Sequence, residues 1–390
     1  MSSQRKDSEA GLVVLIRAFE GGGAQRDMVL LSNALAAKGV APTILTLQGD
    51  GPLRSLLDSS VRVIEVPGGK LRYAIPGLRR AIRRLAPGIV VSSEASLNLC
   101  ALLAVHSLPR RSRPKLVLRE VNNPAISQYR DPYRQNRIAY RILRWFYRRA
   151  DRVIALTDGD RRDLTRLFSV PDEIISVMRV NAVIPPAIVR RLTQWDGESG
   201  RERDLIVCIG RLSPEKDQRT LLRAMTLVPP ERPWRLALVG DGPERAALET
   251  FARENGLAER VIFPGYTIDP FAWLMRARVA VLSSVQEGLP CVVMEALACG
   301  TPVVCTDSSY GPREILQNGR YGTLTPVGDA PAMAAAIEAA LDQIPDRRSL
   351  MARGLDYTAT AAADRFLEIL AELQPAAGGM KELLAVSGAS

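Results

Sequence analysis

The chain predicts an α/β protein made of two doubly wound parallel-sheet domains. Three observations carry this. Apolar strand-like runs alternate with helical stretches along most of the sequence, the rhythm breaks once near the middle and restarts, and 390 residues exceed one ordinary core but suit two domains of ~200 residues each.

The elements follow in order. LVVLIRAF (Leu12–Phe19) is apolar but for Arg17, as suits a strand covered on both faces. A glycine run, Gly21–Gly23, comes next, and a helix extends from about Ala24 to Lys38, stopped by Gly39. Ala41–Leu47, Val61–Pro67, Gly88–Ser93, Lys115–Val121 and Asp151–Thr157 repeat the strand signal, with helical stretches between several of them. TQWDGESGRERD (Thr193–Asp204) is polar, charged and glycine-containing, the composition of a linker. It separates a first domain, residues 1–192, from a second, residues 205–357. Strand signals resume at Leu205–Gly210, Arg235–Gly240, Arg260–Gly265, Val279–Ser284 and Pro302–Asp307. Thr358–Leu373 is Ala/Leu-rich and reads as a helix, and Gly378–Ser390 as a frayed end. Such sheets bind ligands beyond the carboxyl ends of their strands, so the loops there are expected to face a cleft between the domains.

Composition narrows the function. Hydrophobic residues are 47% and charged residues 24%, which excludes a disordered or fibrous chain. No apolar run approaches the ~18 residues of a membrane span, and GLVVLI is short for a secretory core of ~7–15, so the expected location is the cytoplasm. The five cysteines (Cys100, Cys208, Cys291, Cys299, Cys305) lack CxxC spacing, and buried reduced thiols are expected rather than disulfides or zinc. His106 is the only histidine, too few for a multi-histidine metal site. Residues 1–195 hold 32 basic and 16 acidic side chains, whereas the second half is mildly acidic. A basic half suits an anionic partner: phosphates, a membrane surface or nucleic acid; arginine-rich composition by itself is the plainer account.

Four motifs lie where chemistry is expected. GGGAQR (Gly21–Arg26) joins a strand to a helix start, where glycines and free N–H groups admit a phosphate. It lacks the Lys-Ser/Thr of a P-loop and the last glycine of GxGxxG. GRLSPEK (Gly210–Lys216) sets Arg211 and Lys216 after a strand, two cations able to neutralise a departing diphosphate or simply to face solvent. EGLPCVVME places Glu287 on a loop and Glu295 in a helix, with Pro290 suited to its first turn. Two carboxylates bracketing a helix start can accept sugar hydroxyls, and acids there are stabilising without any ligand. VGDGPE (Val239–Glu244) is a turn that would shape the wall.

The order of these motifs, together with FPGY (Phe263–Tyr266) and GPREIL (Gly311–Leu316), resembles retaining glycosyltransferase family 4. The likeness is dense over Leu205–Asp329 and looser over Leu12–Lys38 and Arg152–Asn181. It implies the GT-B fold, two Rossmann-like domains facing a central cleft, with the last helix (358–390) packing back on the first domain. It also implies transfer of a hexose or N-acetylhexosamine from a nucleotide-sugar, UDP-linked, to a glycan acceptor, lipid-linked, in surface polysaccharide or glycolipid synthesis. The nucleotide-sugar would be a co-substrate, with no cofactor and no metal. Arg211 and Lys216 resemble the pair that binds the donor diphosphate, and Glu287 and Glu295 the EX7E glutamates that hold donor sugar and ribose. Gly22 and Gly23 would cover the diphosphate, Gly288 and Leu289 would bind sugar and phosphate, and Pro264 and Tyr266 would border the base. Gln25 would sit where the family's loop faces the acceptor.

One position departs from the pattern. Many family members carry a histidine after the strand that corresponds to Leu116–Arg119, and Val121 stands there instead. His106 is too far upstream to replace it. Glu120 or Asn122 taking over is one account; a donor altered at C6 or loss of catalysis are others. Asp158-Gly-Asp160 has the spelling of a metal motif but falls at a helix start and reads as capping.

Arg130, Arg134, Arg137, Arg141, Arg144 and Arg148 recur every three or four residues, which predicts one helical stripe, with Ile138, Ile142 and Trp145 or Phe146 turned inward. Arg79, Arg80, Arg83 and Arg84 form a second basic cluster. These surfaces would meet anionic lipid or a pyrophosphate-linked acceptor, or form a solvated arginine face with no ligand. Three rivals stand beside the transferase: a sugar-nucleotide epimerase, a noncatalytic nucleotide-sugar binding protein, and a nucleic-acid binder, for which no motif speaks.

Overall fold

The computed structural model describes residues 11–67 and 71–373. The chain forms two compact units. One comprises the chain up to Ala182 and again from Ala359, and the other is Val183–Thr358.

The first unit is built on seven parallel strands: β1 (Leu12–Ala18), β2 (Thr43–Gln48), β3 (Arg62–Glu65), β4 (Ile89–Ser93), β5 (Lys115–Arg119), β6 (Arg152–Ala155) and β7 (Ile175–Val177). Their order is β3-β2-β1-β4-β5-β6-β7, so the direction of strand addition reverses between β1 and β4. Alternate residues of β1 enter two separate cores. Val13 and Leu15 pack with Leu97 and Tyr140 on one face, and Leu12, Val14 and Ile16 pack with Met28 and Phe366 on the other. The helices are α1 (Gly23–Ala37), α2 (Leu71–Leu85), α3 (Ala95–His106), α4 (Pro124–Arg130), α5 (Arg134–Leu143) and α6 (Asp158–Phe168).

The second unit opens with α7 (Pro186–Thr193) and holds six parallel strands: β8 (Leu205–Ile209), β9 (Arg235–Val239), β10 (Val261–Gly265), β11 (Val279–Leu282), β12 (Val303–Thr306) and β13 (Thr323–Thr325). Their order is β10-β9-β8-β11-β12-β13, with the reversal between β8 and β11. Its other helices are α8 (Gln218–Leu227), α9 (Arg245–Glu254), α10 (Pro270–Arg276), α11 (Cys291–Ala298), α12 (Tyr310–Leu316), α13 (Ala330–Asp342) and α14 (Arg347–Leu355). The final helix, α15 (Ala359–Ala371), rejoins the first unit, where Ala362, Phe366 and Ile369 share a core with Met28 and Leu31 of α1. The expected continuation of this helix beyond residue 373 and the expected frayed end lie outside the described residues. So do the first ten residues.

Two expectations about organisation change. The stretch Thr193–Asp204, expected as the linker, is part of the second unit, and the chain passes between units at Ala182 and Val183. Its charge is the reason it is anchored. Arg201 donates to Ala277 O (2.6 Å), Thr301 Oγ1 (3.0 Å) and Cys299 O (2.7 Å), and its guanidinium lies over the Trp195 ring.

The six arginines do not form one stripe. The segment breaks at Asp131, which is extended (φ −56°, ψ 130°), because Pro132 disfavours helical geometry in the residue before it. Arg130 ends α4, Arg134, Arg137 and Arg141 lie on α5, Arg144 caps it, and Arg148 is in a separate 3₁₀ turn. Ile138, Ile142 and Trp145 are 45%, 38% and 67% exposed, whereas Phe146, the alternative to Trp145, is half-buried and packs against the first core. The inward places are taken by Tyr140, Leu143 and Tyr147.

Candidate active site

Both reversals leave a crevice at the carboxyl edge of a parallel sheet, where adjacent loops diverge. In the second unit the loops after β8 and β11 meet there. Gly210–Lys216 leaves β8, passes through a 3₁₀ turn at Pro214–Lys216, and enters α8 through Asp217. Asp217 is left-handed (φ 44°), and its carboxylate accepts from Thr220 N, capping α8. This turn delivers Lys216 Nζ to 2.6 Å from Glu287 Oε1. Ser284 Oγ donates to the same oxygen at 2.6 Å, and Ser283 Oγ holds Lys216 O at 2.8 Å. Burial would discharge Lys216, but Glu287 outweighs it and raises the ammonium above its ordinary value.

The surrounding loops are fixed by close backbone contact. Gly242 sits so near Leu212 O that a Cβ would lie 2.3 Å from it, and a Cβ on Gly311 would lie 1.7 Å from Gly288 O. The glycines of VGDGPE and GPREIL thus pack one loop against each strand-end motif. Ser309 Oγ donates to Glu287 O at 2.6 Å. Gly288 and Leu289 are buried in this loop. Pro290 is the N-cap of α11 rather than its first turn, and Glu295 lies in the helix, 4% exposed. Arg211 is exposed, while its carbonyl accepts from the buried Gln218 Nε2 at 2.8 Å. Pro264 and Tyr266 are exposed at the end of β10, two strands from β8.

In the first unit the loop after β1 carries Gly22, N-cap of α1, and Gly23, its first residue. Gln25 Nε2 donates to Glu94 Oε1 at 2.6 Å. Glu94 follows β4 and has φ 73° and ψ 134°, a conformation that side chains rarely adopt. It went unnoticed in the sequence, where a single acid after a strand carries no motif. Beneath this edge, Arg119 Nη1 pairs with Asp27 Oδ2 at 2.5 Å and Nη2 donates to Asn181 Oδ1 at 2.7 Å. Asp27 Oδ1 accepts from Ala182 N at 2.7 Å. The network ties α1, β5 and the end of the first unit together, both charges being fully buried.

Glu120 is not at the surface. It points into the core and accepts from Tyr147 Oη (2.7 Å) and Asn98 Nδ2 (3.1 Å). Desolvation pushes its carboxyl up to about 7, against the lowering pull of those bonds. A role for Glu120 in place of the missing histidine is therefore corrected: no ligand reaches a fully buried group. Val121 and Asn122 beside it are half-buried. Asn123 caps α4 and donates to Asp160 Oδ1 and Asp163 Oδ2. The Asp158-Gly-Asp160 segment starts α6. Thr157 Oγ1 accepts from Asp160 N, capping the helix, and donates to Asp160 Oδ2. His106 ends α3, its Nδ1 bonded to Leu102 O. Cys100, Cys208, Cys299 and Cys305 are buried free thiols, and Cys291 is half-buried. Among the described residues no helix is long and apolar enough to cross a membrane.

Comparison with known proteins now bears on the class. Residues 21–179 match the model described as Glycosyltransferase Family 4, and residues 203–343 that described as Glycosyl transferases group 1. Lipopolysaccharide core biosynthesis glycosyltransferase LpsE of Rhizobium meliloti is 27% identical over 363 residues, 90% of this chain and 96% of that protein. N-acetylgalactosamine-N,N'-diacetylbacillosaminyl-diphospho-undecaprenol 4-alpha-N-acetylgalactosaminyltransferase of Campylobacter jejuni is 23% identical over 339 residues, 85% of this chain and 90% of that protein. Among solved structures, Anabaena HepE in complex with UDP and glucose aligns with a TM-score of 0.71 at 19% identity, over 93% of this chain and 99% of that one. The fold is GT-B, and the chain is a GT4-like glycosyltransferase.

Proposed function

We propose that the chain is a retaining glycosyltransferase that moves a hexose or N-acetylhexosamine from a UDP-sugar to a lipid-linked glycan, in polysaccharide or glycolipid synthesis. The observation that carries this is the Lys216–Glu287 pair at the crevice of the second sheet, with Arg211 on the same loop. Lys216 and Arg211 supply positive charge where a departing diphosphate gathers negative charge. Glu287 and Glu295 take the hydroxyls of donor sugar and ribose, Gly288 and Leu289 the sugar and phosphate, and Pro264 and Tyr266 border the base. Gly22 and Gly23 admit the diphosphate, while Gln25 and Asn122 face the acceptor. The bond from the anomeric carbon to the β-phosphate oxygen breaks. The acceptor hydroxyl oxygen bonds that carbon from the same face, and its proton passes to the departing phosphate oxygen. With two cations in place, turnover is expected to persist in EDTA. Relatives named for lipopolysaccharide core and diphospho-undecaprenol substrates support the acceptor class, and a neighbour bound to UDP and glucose supports the donor.

The same reading puts the enzyme in the cytoplasm against the anionic inner face of the membrane. Support comes from a surface where Tyr129, Tyr133, Ile138, Ile142 and Trp145 are exposed among Arg130, Arg134, Arg141, Arg144 and Arg148. Arg137 adds charge while its Nη1 donates to Asp131 O.

The test is thermal stabilisation by a panel of nucleotides and nucleotide-sugars, with Glu295→Ala and Lys216→Ala alongside. A ligand at ~100 times its dissociation constant should add about 2.7 kcal/mol. Stabilisation by one UDP-sugar, weakened in both variants, is expected; a folded wild type that responds to none overturns the donor reading. The anomeric configuration of the product, read by NMR, tests retention.

A further inference from the structure

We propose that Glu94 forms the acceptor-binding site of this enzyme, its carboxylate, steered by Gln25, receiving a saccharide hydroxyl. The inference rests on the transferase reading above and deepens it.

Position is the first argument. In each unit the fourth strand in chain order lies beside the first, and the crevice opens between them. In the second unit the loop after the first strand sends Lys216 to a carboxylate, Glu287, on the loop after the fourth. In the first unit the first turn of α1, which follows the first strand, brings Gln25 to the carboxylate of Glu94 after the fourth, at the same 2.6 Å. Each sheet thus places one carboxylate, held by a donor that follows the first strand, at the point where the fold opens to ligands.

The backbone is the second argument. Ser169, Asp217 and Gln317 have positive φ and lie in the left-handed region, with ψ of 36°, 45° and 57°. Glu94 has φ 73° with ψ 134°, outside both the left-handed and the extended region. Glycine adopts that conformation with least strain, and strain of this kind gathers at ligand sites. The helix that follows does not need the side chain, since Glu94 makes no side-chain cap bond to α3. The carboxylate is half-buried, within reach of solvent, whereas Glu120 at the end of the neighbouring β5 is sealed in the core. A carboxylate accepts hydrogen bonds and donates none, so the group it takes is a hydroxyl or amide donor, and a saccharide offers hydroxyls. The amide of Gln25 fixes its orientation.

The test uses the full chain, UDP-glucose, UDP-galactose and UDP-N-acetylglucosamine as donors, and n-octyl glycosides of the same three sugars as probe acceptors. UDP release is measured with the pair that wild type turns over fastest. Glu94→Gln is expected to raise the acceptor KM about tenfold or more, the loss of a bond to a charged group, with the donor KM within about twofold. Glu94→Gly is expected to do the same while raising Tm, because glycine relieves the backbone. Unchanged acceptor KM in both variants overturns the inference and leaves the transferase reading standing. A Glu94→Gly protein with lowered Tm and both KM values raised also overturns it, since the residue would then be structural. No UDP release by wild type from any pair overturns the transferase reading, and the inference falls with it.

Discussion

Lys216 Nζ lies 2.6 Å from Glu287 Oε1, joining the loop after β8 to the loop after β11 across the reversal of the second sheet. The pair is largely withdrawn from water and Ser284 shares the same carboxylate oxygen. Lys216→Met removes the cation proposed to meet the diphosphate and leaves Glu287 without its counter-charge. UDP release should fall about 10²–10³-fold in kcat, the usual loss when one fixed stabilising group is removed. Glu287→Gln keeps the shape and should lose less Tm than Lys216→Met, because it leaves no carboxylate beside Ser284 unpaired. Steady-state kinetics and melting curves on both variants check this. Equal Tm losses would count against the ion pair as the organiser of the loop.

Gly311 of α12 makes a second, independent prediction. A Cβ there would meet Gly288 O at 1.7 Å, and the neighbouring Ser309 Oγ already holds Glu287 O. Gly311→Ala must therefore push the Glu287–Pro290 loop away. Crowding of this kind costs about 1–3 kcal/mol. The expected result is a lower Tm together with a raised donor KM. Gly210→Ala is the comparison, since a Cβ there meets nothing within 4 Å. A donor KM unaltered in Gly311→Ala would separate the loop from donor binding.

These two glycines show what was legible in the sequence. The strand-to-helix rhythm marks eleven strands because most carry an apolar run of three or more residues, and VRVIEV around β3 intersperses apolar and charged residues. It missed β7 (Ile175–Val177) and β13 (Thr323–Thr325), edge strands of three residues that are too short for a pattern. Arg211, Lys216 and Glu287 were legible because they sit in motifs beside strands. Glu94 and the Asp27–Arg119 pair were not, since their partners lie 69 and 92 positions away and only the topology joins them. The arginine stripe failed for a local reason: the spacing fitted a helix, but Pro132 prevented Asp131 from continuing one.

Buried Glu120 sets a pH dependence. Its carboxyl is raised from 4.5 to about 7, first by desolvation and in lesser part by the charge of Asp160, while Tyr147, Tyr140 and Asn98 pull the other way. The native state therefore holds the proton more tightly than the unfolded chain. Stability contributed by the protonated form is full below about 4.5 and is lost as pH rises through about 7. The shift corresponds to roughly 3 kcal/mol at most. Asp160, raised to about 6 by burial, acts in the same sense at lower pH. Glu120→Gln should flatten the fall in Tm between pH 5 and pH 8, and should gain most over wild type at the alkaline end. A wild-type Tm that rises across that window, with Glu120→Gln parallel to it, would contradict the assignment.

The surface around α5 distinguishes two ways in which the proposed membrane contact could form. Were attachment electrostatic alone, each arginine would add ~1 kcal/mol and salt would abolish it. The structure adds Trp145, Ile138 and Ile142, exposed by 67%, 45% and 38%, with the Arg144 guanidinium 5.3 Å from the Trp145 ring centroid. Apolar burial does not screen, so part of the binding should survive high salt. Wild type is expected to sediment with vesicles containing phosphatidylglycerol and to remain partly bound in 0.5 M NaCl. Trp145→Ser with Ile138→Ser should abolish the salt-resistant fraction, because each side chain is exposed and contributes little to the core. Arg134→Gln with Arg141→Gln should instead weaken binding at low salt and leave the salt-resistant fraction in place. Complete release of wild type at 0.5 M NaCl would assign the surface to charge alone, and the exposed aromatic and aliphatic side chains would then have no part in holding the bilayer.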